Sequence, residues 1–273
     1  MNILTEIAEK TRERVKIQKM DRPLFELRAQ AELLSARISE AGMTLAPLPF
    51  EAALRAPGMS FICEIKKASP SKGVIAENFP YLQIAAEYEE AGASAISCLT
   101  EPYWFQGSDN YLKEIAKKVN IPVLRKDFTV DEYMIYQSKV LGASAILLIC
   151  AILDDEQLKS YLSLAKELGL SVLTEAHSEE EIERALKAGA GIVGVNNRDL
   201  KTFTVDLNTG LDLRKKVPDG ICFVSESGIR TSEDVKRLYE NGTDAVLIGE
   251  TLMRASDKKA ELARLRGVFY GKN

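Results

Sequence analysis

Six short apolar runs in this chain end in charged or amide side chains: FICEIKK (Phe61 to Lys67), VLRKDF (Val123 to Phe128), VLTEAH (Val172 to His177), IVGVNNRD (Ile192 to Asp199), FVSESGI (Phe223 to Ile229) and VLIGE (Val246 to Glu250). Desolvating an unpaired charge is costly, so buried strands that close this way imply one shared polar mouth. In FICEIKK, period-two alternation puts Ile62, Glu64 and Lys66 on one face. Lys126, Glu175 and Glu226 close the third, fifth and seventh runs of the repeat described below. Brought together, three carboxylates would stand against two ammonium groups. Crowded like charges pull pKa values apart, which lets a site hold an acid and a base near neutral pH. A structural ion pair is the alternative for Glu64 and Lys66. The single histidine, His177, excludes a multi-His metal site and argues against a His-based triad. Acid–base work then falls to Lys, Glu, Asp or Tyr, and His177 is expected to line the mouth or cap the next helix.

A second constellation suits an anion. SESGI (Ser225 to Ile229) and IGE (Ile248 to Glu250) place Gly228 and Gly249 after the seventh and eighth strands, where barrels of this kind cradle phosphate. Glycine lets backbone N–H groups approach closely, and a following helix N-terminus adds positive potential. Glu250 would deter an anion unless its side chain turns outward. KASPSKG (Lys67 to Gly73) has the composition of a mobile loop, from which Ser69 could donate to an anionic group. Trp104, Phe105 and Phe128 could wall an aromatic pocket. Asn196 and Arg198 complete the polar ring; Arg198 could fork onto an anion or pair with Asp199 at the surface.

What must position these groups is a repeat of helix, Gly and apolar strand. Gly92, Gly142, Gly169, Gly189 and Gly242 stand where a helix C-terminus needs a left-handed residue. Strands are expected near 61–66, 94–99, 122–126, 144–149, 171–175, 191–195, 222–226 and 244–248. Helices are expected near 80–91, 109–118, 131–141, 154–168, 178–188, 207–216, 231–241 and 252–266. The strands are apolar almost throughout, as parallel strands covered on both faces are. Eight alternations predict a closed (β/α)8 TIM barrel of α/β class, with residues 1–273 forming one domain. A doubly wound sheet is the alternative, and the absence of a G-x-G-x-x-G after the first strand counts against it. Residues 1–58 form a helical extension packed on the barrel and overhanging its mouth. Leu24, Leu27, Ala31, Leu34 and Ile38 give it an amphipathic helix started by Asp21 and Pro23 and stopped by Gly42, and prolines extend Leu45 to Phe50.

The composition sets bounds. The chain has 273 residues, 46% hydrophobic and 28% charged, with a net charge of -4. Scattered basic residues argue against nucleic acid as a partner, and no apolar run reaches the roughly 18 residues of a membrane span. Cys63, Cys98, Cys150 and Cys222 include no Cys-x-x-Cys pair, so buried reduced thiols in a cytoplasmic protein are expected. The charged stretch Met1 to Lys16 does not read as a signal peptide.

The motifs EIKKASPSKG, LTEPYWFQGS, VLRKDF, LTEAHS, NNRDL, VSESGI and LIGETLM, in this order, resemble the indole-3-glycerol phosphate synthase family from Phe61 to Met253. The resemblance implies that a carboxyanilino-deoxyribulose phosphate closes its ring, loses CO2 and water, and becomes indole-3-glycerol phosphate, as a step of tryptophan biosynthesis. It implies no cofactor and no metal, and a small sugar-phosphate substrate as partner; a monomer is among the states it allows. By resemblance Lys126 is the general acid and Glu175 the base, with Lys66 an acid for the later dehydration. Glu64 and Glu226 hold the ammonium groups. Asn196, Arg198 and Ser69 surround the anionic ends of the substrate, Ser227, Gly228 and Gly249 cradle phosphate, and Phe105 and Phe128 wall the aryl ring. Glu250 departs from relatives that carry Ser there, and a fused second barrel is not expected.

On the residues alone, other chemistry fits too. Lys66 or Lys126 could form a Schiff base with a sugar-phosphate ketone. A sister isomerase would use the same cradle without releasing CO2, and a binding barrel would need no turnover.

Overall fold

The computed structural model describes residues 3–40 and 47–267, the side chains of 37–40 excepted. Eight parallel strands close a barrel: β1 (Ser60–Ile65), β2 (Ala95–Leu99), β3 (Val123–Lys126), β4 (Ala145–Ile149), β5 (Ser171–Ala176), β6 (Ile192–Asn196), β7 (Cys222–Glu226) and β8 (Ala245–Ile248). Each strand pairs with its sequence neighbours, and β1 pairs with β8, Ile62 standing opposite Ala95 on one side and Leu247 on the other. The TIM barrel expected from the repeat is therefore the fold, with every strand within two residues of its expected place.

Alternation decides what each strand shows to each side. Ile62 packs inside the barrel with Leu124, Leu147, Leu173, Val224 and Leu247. Phe61, Cys63 and Ile65 face outward beneath the helices. Every residue of β1, β2, β4, β5, β7 and β8 is buried, as expected when helices cover a parallel sheet. All four cysteines are buried and unpaired.

The covering helices are α4 (Tyr81–Glu90), α5 (Asp109–Lys118), α6 (Glu132–Leu141), α7 (Asp155–Glu167), α8 (Glu179–Ala188), α9 (Leu207–Arg214) and α10 (Ser232–Glu240). Side chains of Ser108, Asp131, Asp154, Ser178, Asp206 and Thr231 cap the starts of α5 to α10 by accepting a backbone N–H of the first turn. The five glycines expected at helix ends all have positive φ, between 69° at Gly169 and 97° at Gly189. The last helix is divided. A short α11 (Glu250–Arg254) ends at Ala255, and Asp257 starts α12 (Lys258–Arg266) by accepting from Ala260 N. An Asp side chain competes for backbone donors, so it favours a new start over a continuous helix.

The N-terminal segment differs from its expected form in three ways. Met1 to Lys16, read only as charged, lies mostly within α1 (Ile3–Asp21), which Asp21 closes rather than opening the next helix. α2 (Leu24–Glu40) buries Leu27 and Ala31 as expected, while Gly42 lies outside the described residues. Pro49 opens α3 (Pro49–Leu54) instead of extending the chain, since proline is pre-organised for a first helical turn. Phe50 and Leu54 are fully buried and plug the end of the barrel where the strands start. KASPSKG is not an open loop either: Ala68–Ser69 pairs antiparallel with Gly73–Val74, and Ile75 N donates to Lys67 O at 2.8 Å.

Candidate active site

The strands carry their charged C-terminal residues to one place. Lys126 Nζ at the end of β3 lies 3.1 Å from Glu175 Oε2 on β5 and 3.2 Å from Glu226 Oε2 on β7. Lys66 pairs with Glu64 Oε1 at 2.5 Å. Asn196 Nδ2, on β6, reaches Glu175 Oε1 at 3.5 Å. All of these groups line one cavity of about 430 Å³ at the barrel mouth.

Burial sets the electrostatics. Desolvation favours the neutral amine at Lys126, but Glu175, Glu226 and Glu64 override it and hold the ammonium charged well above its ordinary range. The two carboxyls on Lys126 diverge. Burial raises both; at Glu175 the Lys126 ammonium and then His177 more than reverse it, so that carboxyl is held low. At Glu226 burial prevails, helped by the charge of Glu175, and its carboxyl is held high. A low carboxylate suits a base and a high one suits a proton store, the separation expected when like charges share a site. Among the described residues, Glu226 Oε1 has no hydrogen-bond partner. A Cβ at Gly194 would overlap that oxygen and approach Leu173 Cδ1 to 2.9 Å, so Gly194 makes room for the carboxylate.

One cavity wall is aromatic, with Phe105 and Phe128 ring centroids 6.2 Å apart. Trp104, grouped with them on sequence, instead packs edge-on to Tyr103 and is not among the described lining residues. Ser69, Arg198, Ser227, Gly228 and Gly249 line the cavity as well. Gly228 needs to be glycine twice over: its φ is +83°, and a Cβ would stand 2.6 Å from Val205 Cγ1. At Gly249 the backbone approaches the Glu64–Lys66 pair so closely that a Cβ would meet Lys66 Nζ at 3.1 Å and overlap the Glu64 carboxylate. Glu250 turns aside to Arg254 Nε at 3.1 Å and Lys72 Nζ at 3.8 Å. Arg198 does not pair with Asp199: its Nη1 donates to Phe203 O at 3.2 Å, and Asp199 accepts from Lys201 N.

Apart from Trp104 and His177, every candidate residue named from the sequence thus lines the cavity. Several supporting groups do not show in strand-end patterns. Ile3, Leu4 and Ile7 of α1 also line it, so the extension does overhang the mouth. Arg14 Nη2 clamps both oxygens of Asp127 at 2.9 Å, next to Lys126, which ties α1 to β3. Glu101 is buried and accepts the N–H groups of Tyr103, Trp104 and Phe105, fixing the turn that presents Phe105. His177 neither lines the cavity nor caps α8; Ser178 is the cap. Its imidazole lies between Glu175 and Glu181, 3.3 Å from each. The spacing Ile3, Leu4, Ile7 is a helical signal that was available in the sequence.

A β/α barrel with this mouth defines an enzyme of the acid–base class that takes a small anionic substrate. Among solved structures the fold is similar to 3-hexulose-6-phosphate synthase from Salmonella typhimurium (TM-score 0.63, 16% identity, 76% of this chain and 96% of that one). It is also similar to a mutant tryptophan synthase alpha-subunit from Pyrococcus furiosus (TM-score 0.59, 17% identity, 77% and 98%). At such identities the likeness concerns the fold alone. Residues 4–265 match the family model described as indole-3-glycerol phosphate synthase. An indole-3-glycerol phosphate synthase from Ruminiclostridium cellulolyticum is 54% identical over 97% of this chain and 99% of its own length. One from Lachnoclostridium phytofermentans is 48% identical over 98% and 100%. The chain belongs to the indole-3-glycerol phosphate synthase family.

Proposed function

We propose that the cluster around Lys126 carries out the reaction of this family on a small phosphorylated substrate. The enzyme is a carboxy-lyase of tryptophan biosynthesis that converts 1-(2-carboxyphenylamino)-1-deoxy-D-ribulose 5-phosphate to indole-3-glycerol phosphate. The phosphate sits against Ser227, Gly228 and Gly249, the aryl ring against Phe105 and Phe128, and Ser69, Asn196 and Arg198 hold the remaining polar groups. As the aryl carbon attacks the ketone carbon, the Lys126 ammonium gives its proton to the ketone oxygen, which becomes a hydroxyl. The carboxylate leaves as CO2, its electron pair restoring the aromatic ring. Glu175 then takes a proton while the hydroxyl departs as water with a proton from Lys66. Glu64 and Glu226 hold the two ammonium groups charged and placed. An apolar wall favours the CO2 step, because a desolvated carboxylate loses charge there.

The observation that carries this reading is one buried ammonium within 3.2 Å of two carboxylates, one held low by its surroundings and the other high. A monomer and a cytoplasmic location belong to this reading, and the unpaired buried cysteines support the latter. Residues 1–273 act as one domain on this reading, with 1–58 as its extension. The test is indole fluorescence after addition of the carboxyanilino substrate, with no metal or cofactor supplied. Glu175→Gln is expected to lower kcat by roughly a hundredfold or more; a near-normal rate removes Glu175 as the base.

A further inference from the structure

The reading above leaves a problem of proton traffic. Lys126, the acid, touches Glu175, the base, at 3.1 Å. Within a dry pocket an ammonium can pass its proton to the adjacent carboxylate, which neutralises both. Something must keep Glu175 ionised, above all after Lys126 has given its proton to substrate. The structure puts His177 behind Glu175, on the side away from the cavity. Its Nε2 is 3.3 Å from Glu175 Oε1, and its Nδ1 is 3.3 Å from Glu181 Oε2. Glu181 Oε2 also accepts the His177 backbone N–H at 2.7 Å, which locks the clamp to the start of α8. A neutral imidazole has one N–H and one lone pair, so with a carboxylate at each nitrogen it would aim a lone pair at an anion. Only the imidazolium satisfies both sides. The Nε2 contact is off the line of a hydrogen bond and acts as a charge contact.

We propose that His177 is a positioning residue for this reaction: an imidazolium that holds Glu175 ionised from behind, so that the Lys126 proton goes to substrate instead of the neighbouring base. The proposal rests on the assignment of Glu175 as base. The surroundings agree with it. Burial alone would discharge the ring, but Glu175 and Glu181 outweigh burial and raise His177 to about 10. Arg184 of α8 is engaged elsewhere, by Asp155 Oδ1 at 2.6 Å and by the carbonyls of Cys150 and Leu153. The Cys150 thiol beside it stays neutral, pushed up to about 12 by burial. On the cavity side, Lys126 of β3 and Glu226 of β7 bear on Glu175, and Glu64 of β1 bears on those two groups.

Because His177 is the chain's one histidine, its ring nitrogens can be followed in the whole protein by 15N NMR without assignment. The expected result is an imidazolium at both nitrogens up to at least about pH 8; titration near the ordinary value of about 6.5 overturns the proposal. His177→Gln is expected to lower kcat on the order of tenfold to a hundredfold, with KM changed far less. The acid limb of its kcat profile should move to higher pH, since a carboxylate that loses a cation gains proton affinity. His177→Arg should recover part of both. A role confined to packing would lower Tm and leave that limb in place, which refutes the idea. If Glu175→Gln is inactive while His177→Gln keeps a normal limb, this proposal fails alone; if Glu175→Gln is fully active, the base assignment fails first. Should His177→Gln not fold, the NMR titration of the unmodified protein still decides.

Discussion

Lys126→Met isolates the ammonium from its stem. Methionine keeps most of the volume of the chain, so the loss is a charge and a proton donor, not a cavity. With Lys126 as the proposed general acid, ring closure in the variant should slow by about 10²–10⁴-fold, or about 3–5.5 kcal/mol. Stability should fall as well, because Lys126 is only 13% exposed and holds two buried carboxylates. Removing one partner of a buried pair costs about 3–5 kcal/mol, which for a chain of this size is a Tm loss of about 6–15 °C. The pH dependence gives the stricter test. With Lys126 present, Glu175 is held below its unfolded value, so its contribution exists above about pH 4.3 and disappears as pH falls through the depressed value. In the variant burial is less opposed. Glu226, already above its unfolded value, then rises further, and Glu175, with its remaining His177 partner, rises to a lesser degree. A group raised in this way leaves stability intact below about pH 4.3 and erodes it as pH climbs toward the folded value. The Tm deficit should therefore be full near pH 8 and shrink to a few degrees near pH 5. Calorimetry at both pH values and the fluorescence assay measure the two effects. A kcat within threefold of normal, or a deficit equal at both pH values, would refute the reasoning.

Gly249→Ala places a methyl group on the Glu64–Lys66 pair, and kcat/KM should drop by roughly tenfold or more; an unchanged value would mean that the pair has room to move. Gly228→Ala imposes a left-handed backbone on a residue with a Cβ, at about 1–3 kcal/mol, and should raise KM more than it lowers kcat; calorimetry and steady-state kinetics check both. Arg14→Ala removes the clamp on Asp127, whose carboxyl burial would raise but which Arg14 and then Arg125 hold low. The expected loss is about 2–4 kcal/mol at neutral pH. Since that stabilisation lies above the unfolded value and is lost as pH falls, the Tm difference from the unmodified protein should narrow below about pH 4; a difference that widens there contradicts the assignment.

What the chain declares locally could be read directly. Strand places follow from apolar runs between a helix-ending glycine and a terminal charge, and the alternation of Ile62, Glu64 and Lys66 is a property of any strand. Eight such units leave few ways to close a sheet. The convergence of Glu64, Lys66, Lys126, Glu175 and Glu226 was legible because parallel strands in one barrel must all end on the same side. Features that depend on competition between neighbours were harder to read. KASPSKG looked like a loop because a two-residue hairpin leaves no periodicity, and Asp257 divided the last helix because a side chain there outbid the backbone.

The sequence by itself determined the barrel, the ring of charges at its mouth and the place of Gly228 and Gly249 beside it, since each rests on period, spacing or backbone freedom. Tertiary structure alone decided that Glu175 is held low and Glu226 high, that Arg14 of a distant helix braces Asp127, and that His177 stands between Glu175 and Glu181 with a carboxylate at each nitrogen. Charge states in a buried cluster depend on distances of about 3 Å between groups far apart in the chain, and no pattern along the chain encodes them.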